Sequence, residues 1–112
     1  MYRLCVLYGQ PADRAHFDRH YATIHVPLAR VIPGLRHYTY GTCDADDATG
    51  TPYYAVADLF FDSQDAMRTG LASAEGAAAA ADLENFASGG VTLLRLHDSD
   101  MVESVQPPDR VA

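Results

Sequence analysis

Two segments of this chain, residues 2–8 and 53–61, are apolar at nearly every position rather than at alternate ones. The first segment is followed by Gly9 and Pro11, and the second contains a single acid, Asp58. Short apolar runs that are bounded by turn residues are typical of β-strands covered on both faces. Whatever fold the chain adopts must therefore cover both sides of a sheet.

A helix is predicted directly after the first strand. Apolar side chains recur there at helical spacing along one stripe, which consists of Phe17, Tyr21, Ile24, Leu28 and Val31. Asp13 is placed to cap this helix at its start, and Pro33 and Gly34 end it. Pro27 lies inside the pattern and removes one helical hydrogen bond, so we expect a kink or a restart just after His25.

The remaining segments complete a regular order of strands and helices. Residues 35–42 alternate as a second strand, which a polar loop connects to the third strand. A second helix begins at a cap formed by Ser63 or Asp62, breaks between its glycines, and resumes over the alanine-rich residues 77–86. Two glycines then turn the chain into a last strand over residues 91–97.

The resulting order, β-α-β-β-α-β, is that of the α+β ferredoxin-like sandwich, in which both helices lie on one face of an antiparallel sheet. Two helices leave the other apolar face open, and soluble monomers avoid exposed patches of that size. We therefore predict a homodimer that is joined through this sheet face, forming a dimeric α+β barrel. Residues 1–103 form the barrel domain, and residues 104–112 form a polar tail.

Length and charge exclude several classes of protein. The 112 residues suffice for one domain, and the formal charge of −7 disfavours nucleic acid and anionic membranes. No segment approaches the roughly 20 apolar residues of a membrane span, and the N-terminus is too short in its apolar part for a signal peptide. The two cysteines, Cys5 and Cys43, have neither disulfide-framework nor metal-site spacing, so we expect a cytoplasmic protein.

His25 is the first candidate for chemistry. It flanks the apolar stripe of the first helix and precedes Pro27 by two residues, where a kink opens space beside the helix. An imidazole with a pKa near about 6.5 suits a general acid or base. The alternative is a boundary histidine that bonds a backbone carbonyl.

The stretch around His25 resembles the EthD family. The resemblance lies in Phe17, in the spacing Tyr21-x-x-x-His25-x-Pro27-Leu28, and in Pro33-Gly34-Leu35 followed by Tyr38. It implies a dimeric α+β barrel and brings His25, and with it Tyr21, into the candidate catalytic site. Members of the family and its relatives include components of oxidative degradation pathways, and cyclases and decarboxylases that work without a cofactor.

Further residues are expected around this site. Tyr38 and Tyr40 share one side of the second strand, where a hydroxyl can stabilise an oxyanion and a ring can line an aromatic ligand. We assign Tyr38 to the catalytic group and Tyr40, Phe17 and Phe86 to the substrate pocket. Core or interface packing is the alternative for the tyrosines.

Asp58 is the fourth residue that we assign to the substrate pocket. It is the only acid within an apolar strand, so it must be paired or shift its pKa. It could orient a histidine, or it could form a structural ion pair with Arg36 or Arg95.

His16 and His20 form an H-x-x-x-H pair, which could present two imidazoles to a metal. No third ligand is placed nearby, so we interpret both as solvated surface histidines and expect neither metal nor cofactor. The leading hypothesis is a cofactor-independent enzyme that uses His and Tyr acid-base chemistry to oxidise, cyclise or decarboxylate a compact apolar or aromatic small molecule. The alternative is a non-catalytic ligand-binding or accessory barrel.

Overall fold

One antiparallel sheet of four strands organises the molecule in the computed structural model, which describes residues 1–45 and 50–99. Its strands are β1 (Tyr2–Gly9), β2 (His37–Thr42), β3 (Tyr53–Phe61) and β4 (Val91–His97). They lie in the order β2-β3-β1-β4, and every neighbouring pair is antiparallel. The sequential order of strands and helices and this sheet order confirm the ferredoxin-like α+β fold.

Helices cover one face of the sheet in two consecutive groups. The first group comprises α1 (Arg14–His20), a π-helical turn (Tyr21–His25) and α2 (Val26–Arg30). The second comprises α3 (Gln64–Ala72), α4 (Ala74–Asp82) and a 3₁₀ turn (Leu83–Asn85). Asp13 and Ser63 cap α1 and α3 by accepting hydrogen bonds from the first-turn amides, as their positions before the helices predict. No helix within the two described ranges combines the length and apolar character that crossing a bilayer requires.

The π-helical turn is the structural response to Pro27. Proline has no N–H, and its ring collides with the carbonyl of the residue four positions earlier in a regular helix. The helix widens before it, and the Val26 N–H donates to the Tyr21 carbonyl five residues earlier. Regular α-helix resumes at Val26, just after His25, where a kink or a restart was predicted.

Some boundaries differ from those predicted. β2 begins at His37 instead of Leu35, because the Leu35 N–H still bonds the Ile32 carbonyl in the turn that follows α2. The second helical group breaks at Ser73, whose hydroxyl donates to the Gly70 carbonyl and accepts from the Gly76 N–H. α4 therefore starts before the alanine run. The predicted tail at 104–112 lies outside the described residues.

The two faces of the sheet differ in how they are covered. The helix-covered face carries the core between the layers, in which Tyr8, Phe17, Phe61 and Met67 are the largest fully buried side chains. On the open face, the apolar side chains are half-buried or exposed: Cys5, Leu7, Val56, Phe60, Leu94 and Leu96. The predicted apolar character of both faces is thus present, and the homodimer that would cover the open face stays a prediction.

Candidate active site

A cavity of about 240 Å³ lies between the helices and the sheet. Its walls are mostly aliphatic, and they include Val6 and Leu59 from the sheet and Ala29 and Leu83 from the helices. The polar groups that line it are His25, Tyr8, Tyr38 and, at the rim on β4, Arg95. An apolar cavity with a few convergent polar groups is the usual form of a small-molecule site.

His25 lies between this cavity and a buried carboxylate, Asp82. The imidazole is 6% exposed, and its Nδ1 lies 3.0 Å from Oδ2 of Asp82. The other oxygen of Asp82, Oδ1, forms hydrogen bonds with Nε2 of His20 at 2.8 Å and with Nδ2 of Asn85 at 3.0 Å. No described residue forms a hydrogen bond with Nε2 of His25. The carboxylate therefore orients the ring and leaves this nitrogen free.

The charge states follow from these contacts. Burial acts to raise the pKa of Asp82, but the hydrogen bonds that it accepts outweigh burial and hold the pKa below its ordinary value. Burial lowers the pKa of His25, and this effect outweighs the opposing hydrogen bond and charge of Asp82. At neutral pH the pair is therefore a carboxylate beside a neutral imidazole. Because an ionised carboxylate only accepts, Nδ1 carries the proton and Nε2 is a base.

Two tyrosine hydroxyls meet next to this pair. The Tyr21 and Tyr38 oxygens are 2.5 Å apart, and the Tyr21 ring lies 5.4 Å from that of His25. Burial raises the pKa of Tyr21, as do the hydrogen bond and the charge of Tyr38. Burial also raises the pKa of Tyr38, although the bond from Tyr21 opposes it. Both phenols therefore stay protonated at neutral pH and are available as donors.

The three residues that we assigned to catalysis are thus brought together, but the four assigned pocket residues do not line this cavity. Phe17 and Phe86 pack in an aromatic cluster behind the wall, with the Phe86 ring 4.8 Å from that of His25. Tyr40 stacks on Tyr21 at 4.0 Å and lines a separate groove at the β2 edge. These rings support the site residues from behind instead of contacting the cavity.

Asp58 lies on the opposite face of the sheet. Its register against Cys5 and Thr39 directs it away from the helices, and Nη1 of Arg3 approaches Oδ1 at 3.8 Å. The expected partners were wrong, because Arg36 instead bonds Asp62 at 2.8 Å. Side-chain alternation along β3 explains the placement, since Asp58 follows the helix-facing Ala57 by one residue.

The interpretation of His20 as a solvated histidine was also wrong, because its ring bonds Asp82 and is largely buried. His16 is exposed, and its Nε2 lies 3.1 Å from the Asn85 carbonyl oxygen. Within residues 1–45 and 50–99, no group of three or more His, Cys, Asp or Glu side chains is arranged to hold a metal.

Asp82 was missed by the sequence analysis, although a signal for it existed. The buried positions of α4 are Gly76, Ala79 and Asp82, which recur every three residues along one face. A helix that begins at Ala74 would have placed this acid on the buried face. A buried carboxylate needs partners, and histidines are the residues that supply them here.

Comparisons with known proteins bear on the family and the fold of the chain. A model of the EthD domain matches residues 9–90. A protein of Rhodococcus erythropolis, described as an uncharacterized 11.0 kDa protein in the thcB-thcC intergenic region, is 48% identical over 94 residues, which cover 84% of this chain and 91% of that protein. The crystal structure of an EthD family protein from Bacillus halodurans superimposes with a TM-score of 0.83 at 30% identity, covering 88% of this chain and 99% of that one.

More distant solved structures share the fold alone. A dimeric ferredoxin-like protein of unknown function from Thermobifida fusca has a TM-score of 0.65 at 20% identity, over 85% of this chain and 88% of that one. SnoaB of Streptomyces nogalater, a cofactor-independent oxygenase, has a TM-score of 0.61 at 17% identity, over 92% of this chain and 96% of that one.

Proposed function

Because the chain belongs to the EthD family, we propose that it is a small enzyme that moves protons between His25 and a compact apolar or aromatic substrate without a cofactor. The observation that carries the proposal is the position of His25, whose Nδ1 is held by Asp82 while the ring lines an apolar cavity. A neutral, oriented imidazole in such a place is suited to general-base catalysis.

The chemistry proceeds through an oxyanion. Nε2 of His25 removes a proton from a carbon next to a carbonyl or from a phenol, and the bonding electrons move to oxygen. In the arrangement that we propose, Tyr21 donates to Tyr38, and the Tyr38 hydroxyl donates to the developing oxyanion. The resulting enolate or phenolate can cyclise by attack on a second carbonyl or react with dioxygen. In a decarboxylation, the carboxylate of a 3-oxo acid instead loses carbon dioxide, the electrons of the broken C–C bond form the enolate, and the enolate then takes up a proton.

The fold neighbours support this class of reaction without identifying the substrate. SnoaB shares the fold and is described as a cofactor-independent oxygenase, so the architecture accommodates such chemistry. Family membership and the His25 cavity favour an enzyme over an accessory barrel, since a non-catalytic barrel has no need of an oriented base.

Proton abstraction can be tested without the natural substrate. A panel of compact aryl 1,3-diketones in D₂O reports enzyme-catalysed deuterium incorporation at the acidic carbon by NMR. We expect catalysis by the wild type and a decrease of roughly 100- to 10,000-fold in His25→Asn. The His16→Asn variant, which alters an exposed histidine of α1, is the matched control and should retain the wild-type rate. Catalysed exchange that persists in His25→Asn would contradict the role of His25 as the base, whereas a wild type that catalyses no exchange with any diketone of the panel would favour the accessory-barrel alternative.

We also propose that a second copy of the chain covers the open face of the sheet. That face carries half-buried apolar side chains and an incompletely satisfied polar pair. Nε of Arg3 and Oδ1 of Asp58 are buried without a hydrogen-bond partner among the described residues. Buried polar groups normally have partners, and a partner chain on this face would supply them. The Thermobifida fusca neighbour is described as dimeric, which is consistent with such an assembly in this fold.

A further inference from the structure

Arg95 lies at the rim of the cavity, on the face of the sheet that the helices cover. It pairs with Leu4 across the β1–β4 ladder, and Leu93, two residues earlier, shares its face. Both side chains are exposed and both line the cavity, so they form its boundary with solvent. The guanidinium of Arg95 therefore lies where a ligand would enter the cavity.

Arg95 and Tyr38 occupy opposite ends of one row across the sheet. Tyr38 pairs with Leu59, Leu59 with Leu4, and Leu4 with Arg95. Three strand spacings separate the two ends, which is about 14 Å between Cα atoms. The Tyr38 hydroxyl bonds Tyr21, whose ring lies 5.4 Å from that of His25, so the pair of tyrosine hydroxyls lies at the end of the row away from Arg95.

The charge of Arg95 is not neutralised by the part of the chain that the structure describes. Arg3, Arg36 and Arg68 each have a carboxylate within 4.0 Å, whereas Arg95 has none there. A neighbouring groove of about 340 Å³ shares Arg95 and Leu71 with the cavity, and α3 contributes Gln64 and Arg68 to it. Arg95 is thus a cation at the rim with no carboxylate partner among the described residues, although the chain has a formal charge of −7.

We infer that Arg95 binds the carboxylate of a compact apolar acid, whose body fills the cavity and whose reacting atom lies at His25. The inference rests on the proposed function and names its substrate class. An overall acidic protein repels anions in general, so an anionic ligand requires a local cation. A guanidinium forms paired hydrogen bonds with a carboxylate, and the aliphatic walls accept an aryl or alkyl group.

Binding of 3-phenylpropanoate, compared with its neutral analogue 3-phenylpropanamide, tests the inference by NMR titration of ¹⁵N-labelled protein. We expect the acid to bind roughly 10- to 100-fold more tightly than the amide. The largest shifts should fall on Leu93, Arg95 and His25. In Arg95→Gln the preference for the acid should disappear, whereas Arg95→Lys should retain part of it. Arg68→Gln is the matched control, because Arg68 lines only the outer groove, and it should retain the preference.

The outcomes separate this inference from the proposed function. His25→Asn should lose proton exchange but keep the preference for the acid. If His25→Asn exchanges protons at the wild-type rate and still prefers the acid, the proposed function is contradicted and the assignment of Arg95 is not. An acid that fails to bind at millimolar concentration overturns the assignment of Arg95. Equal binding of acid and amide by the wild type, or an unchanged preference in Arg95→Gln, overturns it as well.

Discussion

Asp82 determines what His25 can do at neutral pH. A histidine in an apolar cavity could carry its proton on either nitrogen, and only one of the two forms leaves a base facing the cavity. The contact of 3.0 Å between Nδ1 and Asp82 Oδ2 selects that form. We therefore regard Asp82 as a positioning residue, which acts on the substrate only through His25.

The lowered pKa of His25 makes stability depend on pH. The unfolded chain takes up this proton near about pH 6.5, whereas the folded protein takes it up only at lower pH. The stability is therefore complete above about pH 6.5 and decreases as the pH falls below that value. The pKa of Asp82 is also lowered, but its contribution is lost only below about pH 3.9.

We accordingly expect urea unfolding between pH 7.5 and about pH 4.5 to show a decline in wild-type stability that His25→Asn reduces. His16→Asn provides the control for removing a histidine elsewhere on α1, and its decline should match that of the wild type. A His25→Asn variant whose stability follows the wild-type pH dependence would show that His25 is not buried as a neutral imidazole.

At the level of single residues, the sequence located the polar groups that meet beside the cavity better than the side chains that surround them. His25, Tyr21 and Tyr38 stand out through residue type and spacing, and the structure brings them together. Phe17 and Phe86 were predicted to line the pocket because they are large and apolar, but size does not distinguish a cavity wall from the core behind it. The contact of Asp82 with His25 could not be predicted, because it forms only where two helices that are far apart in sequence approach each other.

At the level of elements, close approaches of the backbone hold the helices in place. Gly70 of α3 faces the turn between α2 and β2, where a Cβ would collide with the Pro33 carbonyl oxygen and lie 3.1 Å from the Phe61 ring. Phe61 is fully buried, so its ring has little room to move. The absence of a side chain at Gly70 therefore sets the distance between the second helical group and the sheet.

Gly70→Ala should lower the free energy of unfolding by about 1–3 kcal/mol. Alanine favours a helix over glycine by about 1 kcal/mol, but a clash with a backbone carbonyl cannot be relieved by rotating a side chain. Gly41→Ala is the control, because a Cβ on this exposed strand residue meets nothing within 4 Å. Urea denaturation of both variants measures the difference. Equal stability of the two variants would contradict the close packing of α3.

The elements themselves were largely predictable from periodicity. β3 matches the predicted residues 53–61, and Asp13 caps the first helix as expected. The break at Pro27 was predicted, but its form was not, because a missing amide is compatible with a kink, a restart or a π-helical turn. The second helical group breaks at Ser73, between Gly70 and Gly76 as predicted, but α4 starts at Ala74 and not at residue 77, because the Ser73 hydroxyl caps it.

At the level of the whole molecule, the open face of the sheet is the main unpartnered surface of the described chain. Leu93 and Leu94 are adjacent on β4 and are 51% and 46% exposed, yet they point to opposite faces of the sheet. Leu94 shares its face with Cys5, its partner in the β1–β4 ladder. Substitutions of Leu93 and Leu94 therefore offer a matched comparison of the two faces of the sheet.

Sedimentation at micromolar concentration should show a dimer for the wild type, because an obligate interface on this face would bury about 2,000 Å² or more. Leu94→Asp places a charge in that interface and should yield monomers, whereas Leu93→Asp should remain dimeric. A wild-type monomer, or equal dissociation of both variants, would contradict association through the open face.

The central claim is that His25 is a neutral base whose Nδ1 proton is held by Asp82, and the most direct measurement is a ¹⁵N-resolved NMR titration of its imidazole. We expect a protonated Nδ1 and an unprotonated Nε2 at neutral pH, with a titration midpoint below about 6.5. In Asp82→Asn the midpoint should fall further, because the carboxylate acts to raise it. A protonated Nε2 at neutral pH, or a wild-type midpoint above about 6.5, would contradict the claim.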